Sequence, residues 1–321
     1  MKTKYLYTLL CVGFLILTLT GCSRDTVNIR FGAAGIGGMY YTFATTYAGL
    51  LDDDANGFTL DVKDTAGSEA NLRLLSDNYI QLGISQNDLI YDAYFGKGEY
   101  ENKSMTDFSA VAGLYPEVCQ LVVRKDSDIQ TVNDLQGHTV CIGASESGTE
   151  RNARQILEVC GLTDSLVDMV NLDYTQSASA LQNGDIDAFF CTAGIQTTVI
   201  EELTRQCDIR LLGLDDQCRS RLVTAYPFYT EFEIPAGTYK GQDAPVLTLS
   251  VQAVLLANNR LSKDTVKELT AALFTHAQDM QYTIALDVEL NESSATSGIE
   301  IPFHPGAAAY YQEQGIPVNT N

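Results

Sequence analysis

The sequence predicts an α/β fold with mostly parallel sheets, and three observations carry that reading. Short apolar strands alternate with helical segments from Thr26 onward, small-residue turns join each strand to the helix after it, and a similar unit recurs later in the chain. The length of 321 residues suits about two domains of ~150 residues each.

The elements follow in order. Val27 to Phe31 is a strand, Gly32 to Met39 a glycine-rich turn and Tyr40 to Leu51 a helix. Phe58 to Thr65 and Ile80 to Ser85 read as strands, with helices over Ser68 to Ser76 and Asp88 to Phe95. Val111 to Arg124 contains a long β-rich run. A second cycle has strands over Thr139 to Ala144, Met169 to Leu172 and Ile186 to Thr192. Its helices cover Thr149 to Cys160, Ser177 to Gln182 and Thr197 to Gln206. Ser262 to Tyr282 reads as one longer helix with Ser262 as N-cap, and Asn291 to Ile299 as a polar loop. The two cycles repeat at offsets of 111 residues (Gly32 to Gly143) and 106 residues (Ile80 to Ile186). Two such units place equivalent strand-to-helix turns at one mouth, outside the carboxyl ends of the strands, where open α/β sheets bind ligands.

Composition narrows the function. The chain is 45% hydrophobic and 19% charged, a globular balance, and its net charge is −21. That sign repels phosphate backbones, so nucleic acid is excluded as a partner class. Lys2 and Lys4 precede an apolar run, Tyr5 to Leu19, of secretory h-region length. The ending Leu19-Thr20-Gly21-Cys22 resembles a bacterial lipobox, which makes residues 1–21 a lipoprotein signal peptide and Cys22 a lipidation site outside the cytoplasmic membrane. No later stretch is long and apolar enough to span a bilayer. Of the eight cysteines, Cys119, Cys141, Cys160 and Cys191 read as small buried hydrophobes. Cys207 and Cys218 flank a strand and loop and are candidates for a disulfide. There is no C-x-x-C, and His138, His276 and His304 are scattered, so neither a metal site nor a cofactor is expected.

The turns carry the chemistry. Gly35-Ile36-Gly37-Gly38 precedes a helix whose first N–H groups, at Gly38, Met39 and Tyr40, are expected to face an anion. Ser147-Gly148-Thr149, Thr192-Ala193-Gly194 and Ser85-Gln86-Asn87-Asp88 repeat the arrangement, each also readable as a plain cap. G-x-G-x-x-G fails at Tyr40 and the nucleophile elbow G-x-S-x-G fails at Ser147. Nothing here points to catalysis.

These segments resemble the TAXI family of solute receptors for TRAP-type transporters. The likeness runs through Gly35 to Tyr41, Gly67 to Leu75, Leu114 to Val118, Gly148 to Leu157 and Ile186 to Phe190. It continues in Tyr226 to Tyr229, Ile234 to Tyr239 and His304 to Ala307. The resemblance implies a two-lobed, periplasmic-binding-protein-like (type II) fold with a ligand cleft between the lobes. It implies a first lobe over 26–122, a second over 123–224, and a return to the first lobe with C-terminal helices over 225–321. The implied ligand is a small organic anion, an amino acid such as glutamate or glutamine or a dicarboxylate such as 2-oxoglutarate, and the implied partner is a TRAP-type membrane permease. The implied pocket uses Gly37, Gly38, Tyr40, Ser68, Gln86 and Asp88 from one side. Ser147, Gly148, Thr149, Thr192 and Gly194 come from the other, with Tyr115 and Tyr226 at the hinge. Departures near Gln86 and Gln196 leave open whether those side chains enter the cleft. The same pocket would serve a sensory module presenting ligand to a membrane-bound kinase, and an extracytoplasmic enzyme would instead turn its ligand over.

Overall fold

The computed structural model describes residues 27–52, 57–284 and 289–320. The expected signal segment and Cys22 lie outside these residues. The chain begins with β1 (Val27–Gly32), α1 (Met39–Asp52), β2 (Phe58–Lys63), α2 (Ser68–Ser76), β3 (Leu82–Gln86) and α3 (Asn87–Phe95). A long β4 (Phe108–Arg124) leads to β5 (Thr139–Cys141), α4 (Gly148–Val159), β6 (Asp168–Val170), α5 (Tyr174–Asn183) and β7 (Ala188–Ala193). Then come α6 (Thr198–Gln206), β8 (Ile209–Leu212), α7 (Asp216–Ala225), β9 (Thr230–Ile234) and a second long strand, β10 (Val246–Asn258). The chain closes with α8 (Lys263–Thr275), α9 (Ala277–Thr283), α10 (Glu292–Ala295) and α11 (Pro305–Glu313).

Ten strands form one mixed sheet in the order β2-β1-β3-β10-β4-β7-β5-β6, with β8 added on β4 and β9 on β10. The repeat read from the sequence has a topological counterpart. β1 pairs in parallel with β2 and β3, and β5 pairs in parallel with β6 and β7. Each parallel set is closed by a long antiparallel strand, β10 beside β3 and β4 beside β7. β4 and β10 also pair with each other from Phe108–Asn258 to Val118–Ser250, so they weld the two sets into one sheet. The expected boundary at residue 122 falls inside β4.

Pattern explains most elements. In α1 the buried residues Met39, Tyr40, Phe43, Ala44, Tyr47 and Leu51 recur at three- and four-residue steps, giving one apolar face. Ser262 caps α8 as expected, accepting the Thr265 N–H at 3.0 Å. The single helix expected over Ser262 to Tyr282 is two, because the chain leaves helical geometry at His276 (φ −97°, ψ 11°). The loop expected at Asn291 to Ile299 begins with the short α10, nucleated by Asn291, whose side chain accepts from Ser294 N–H. His304 is a buried N-cap for α11: its Nδ1 accepts the Gly306 N–H at 3.1 Å, and burial lowers its basicity. No strand was expected over Val246–Asn258, yet β10 is the centre of the sheet.

Apolar side chains collect into two clusters. The larger packs Phe31, Phe43 and Tyr47 against Val254, Leu256 and Tyr311. The smaller packs Val123, Val140, Ile156 and Phe190 against Leu222 and Leu249. Leu256 is fully buried and paired on both sides, to Gly83 of β3 and Ala110 of β4. Leu256→Ala is expected to cost about 2–5 kcal/mol, read as a lower urea midpoint at unchanged slope.

Candidate ligand-binding site

A cavity of about 510 Å³ opens where the strand-to-helix turns of the two parallel sets face each other. Of the residues expected there, Gly38, Tyr40, Ser68, Gln86, Ser147, Gly148, Thr149 and Thr192 line it. Gly37 and Gly194 stand beside it without lining it. The expected positions of Asp88, Tyr115 and Tyr226 are corrected: all three face a second cavity of about 800 Å³. Tyr115 lies on β4 and Tyr226 caps the end of α7, whereas for Asp88 the reason is the direction of α3. Its first turn points to Arg151, whose Nε donates to Asp88 at 2.9 Å and whose Nη2 bonds Asp92. Gln86, one residue before α3, does enter the first cavity, whereas Gln196 is exposed in the left-handed region (φ 58°).

The turns are tight for steric reasons. Gly37 has φ +90°, which favours glycine, and its carbonyl accepts the Val199 N–H from the opposite set. A Cβ on Gly148 would fall 2.4 Å from Gln86 Cδ, so a side chain at the start of α4 would have to displace the Gln86 amide from its place. Further bonds join the two sets across the cavity rim: Ala70 N–H donates to Glu146 O at 3.1 Å, and Arg73 Nη2 meets the Glu146 carboxylate at 2.6 Å.

Several polar groups expected to face a ligand are already committed. Gly38 N–H donates to Gly35 O at 3.1 Å, so it is not free for an anion. Ser147 Oγ accepts the Glu150 N–H at 3.0 Å as the α4 cap. Thr149 belongs to a closed ring. Thr192 N–H donates to Thr149 Oγ1 (3.2 Å), Thr149 donates to the Tyr174 oxygen (2.8 Å), and Tyr174 donates to Thr192 O (2.9 Å). No proton in this ring remains for a ligand. The positive potential comes instead from helix starts: α1, α2, α4 and α5 all present their first residues to the cavity.

The cavity's side chains are acidic. Asp64, Glu117 and Asp173 line it, and among the described residues no Lys, Arg or His does. Glu117, on β4, lies on the cavity wall; Tyr40 donates to its Oε2 at 2.6 Å, and Ser68 Oγ stands 3.1 Å from the Tyr40 hydroxyl. Burial pushes the Glu117 carboxyl up to about 8, with the Tyr40 bond opposing. Asp64 is raised by burial and then by Asp173. Sequence reading missed Glu117, Asp64, Asp173 and Tyr174. For Glu117 there was a signal: it is the one charged residue between Val111 and Val123, an apolar run in which an ionisable group needs a reason. Among the described residues no group of three or more His, Cys, Asp or Glu can hold a metal ion. No described helix is long and apolar enough to cross a membrane.

Two outcomes test this site. Thr149→Val leaves the buried Thr192 N–H without its acceptor and takes from the Tyr174 hydroxyl one of its two bonds, so it is expected to lower unfolding free energy by about 1–3 kcal/mol in urea titration. Unliganded native Glu117 keeps its proton to about 8, while the unfolded chain releases it near 4.5. Its contribution to stability is therefore full below about 4.5 and is lost as pH rises to about 8. Glu117→Gln removes this dependence, and urea midpoints across that range are expected to decline less with pH than in the wild type.

Three solved structures share the architecture. A putative L-cystine ABC transporter protein from Listeria monocytogenes is 14% identical, with 80% of this chain and 94% of that chain covered and a TM-score of 0.52. The Streptococcus mutans structure described for glutathione import via GshT and the cystine importer TcyBC is 13% identical over 84% and 99%, at TM-score 0.52. The alkanesulfonate-binding protein SsuA of Xanthomonas axonopodis pv. citri, bound to MOPS, is 15% identical over 90% and 91%, at TM-score 0.50. At such identities the likeness establishes the fold, that of periplasmic binding proteins. A family model matches residues 31–315, nearly all of the described chain, and by that match the protein belongs to the NMT1-like family.

Proposed function

We propose that this protein is an extracytoplasmic solute receptor that closes on a small zwitterion of the amino-acid class and passes it to a TRAP-type permease. The observation that carries the ligand class is the cavity's polarity: helix starts from both parallel sets, three carboxyl groups, and no cationic side chain in its lining. Helix starts suit a ligand carboxylate, and Glu117 suits an ammonium. A dicarboxylate such as 2-oxoglutarate would meet Asp64 and Asp173 with like charge and find no cation for its second carboxylate, so the amino acid is favoured over it. The permease type rests on the TAXI-like segments, and tethering at Cys22 rests on the lipobox-like ending.

Isothermal titration against amino acids and dicarboxylates is expected to give micromolar or tighter binding to one amino acid. Dicarboxylates alone binding would overturn the ligand class, and no binding across the panel would count against a receptor. Ionised Glu117 is the form that pairs with an ammonium. Affinity is therefore expected to rise as pH rises towards about 8, with proton release on binding at lower pH, and Glu117→Gln is expected to abolish the release.

A further inference from the structure

The two helices at the far side of the smaller apolar cluster meet through a pair of sulfurs. Cys160 caps the C-terminus of α4, and Cys218 lies in the first turn of α7, its N–H bonded to the Asp215 carboxylate at 2.8 Å. Their Sγ atoms are 2.6 Å apart, too close for two unbonded thiols and near the ~2.05 Å of a covalent bridge. Both pack on the same cluster, with Cys218 buried and Cys160 partly exposed. Cys207, the partner expected for Cys218 from sequence, instead ends α6 and packs against the larger cluster.

We propose that Cys160 and Cys218 form a disulfide that ties the far end of α4 to α7. The pairing rests on geometry; only the oxidising setting rests on the extracytoplasmic reading above. Closing the bond removes two protons and two electrons, and a disulfide-bearing oxidant accepts them by exchange. One cysteine thiolate attacks the oxidant's S–S bond, forming a mixed disulfide and releasing one thiol. The other thiolate then displaces the second thiol and closes the Cys160–Cys218 bond.

The bridge bears on the candidate site through α4. The start of that helix supplies Gly148 and Thr149 to the cavity, and Cys160 holds its other end. Just beyond α7, the Tyr229 hydroxyl accepts from Asn152 Nδ2 at 2.7 Å and donates to Gln155 Oε1 at 2.6 Å, both on α4. A disulfide across 58 positions adds a covalent tie to this polar one.

The test uses the purified full chain treated with oxidised glutathione, then alkylated, digested and mapped by mass spectrometry. A dithiothreitol-sensitive Cys160–Cys218 peptide is expected, with a melting temperature several degrees higher in the oxidised protein than in the reduced one. In C160S and C218S that redox-dependent shift is expected to vanish. Recovery of both cysteines only as alkylated or glutathione-capped residues, with no Cys160–Cys218 peptide, would overturn the proposal. Because the oxidant is supplied in the tube, the result is independent of where the cell places the chain and of whether it binds any solute.

Discussion

The antiparallel pairing of β4 with β10 is the constraint on which the rest depends. Each strand borders one parallel set, β10 beside β3 and β4 beside β7, and is long enough to pair with the other long strand as well, so the two sets cannot be placed independently. The pairing is regular at its ends and irregular in its middle, where the register shifts between Gln252 and Val254. Pro116 sits opposite Gln252 at that point and has no N–H to give to the ladder. Glu117, the next residue, pairs in register with Val251 beside the irregularity, and it is the carboxyl that reaches the cavity.

From this follows the electrostatic character of the site. A buried carboxyl in the middle of a sheet is costly when ionised, and the structure relieves the cost with one short bond from Tyr40 and by holding the proton on the acid. Tyr40 belongs to the first turn of α1, so the acid on the central strand and the glycine turn after β1 are linked directly. The net charge of −21 therefore has a counterpart inside the cavity, where acids line the wall and helix starts supply the only positive potential. A group that needs both signs is satisfied there. A purely anionic one meets Asp64 and Asp173.

Much of the polar chemistry near the cavity is structural. The Thr149–Tyr174–Thr192 ring fixes the start of α4 against β7 and α5, and Asn71 donates to the carbonyls of Gly32, Ala33 and Ile84, pinning the ends of β1 and β3 together. The hydroxyls that look most reactive in the sequence are spent on positioning the backbone that forms the cavity.

The local pattern alone determined the alternation of strand and helix, the twofold repetition and the glycine turns, because periodicity and backbone freedom are properties of neighbouring residues. It placed α2 at Ser68–Ser76 and the cap of α8 at Ser262, and its turns hold seven of the eight expected residues that line the cavity, since turns at strand ends converge in any such fold; Ser68 came from the family resemblance. The direction of each side chain was beyond it. Asp88 follows Gln86 by two residues, yet the two face different cavities, because α3 turns Asp88 towards Arg151 on a helix sixty-three positions away. Glu117 and Asp173 likewise enter the site from elements that the chain brings together only through β4 and β10. Cys218 was legible as a candidate for pairing, but its neighbour was not, because sulfur contact depends on how α4 packs on α7. Sequence sets what each segment forms; long-range packing decides which groups share one cavity, and charge and proton affinity follow from that.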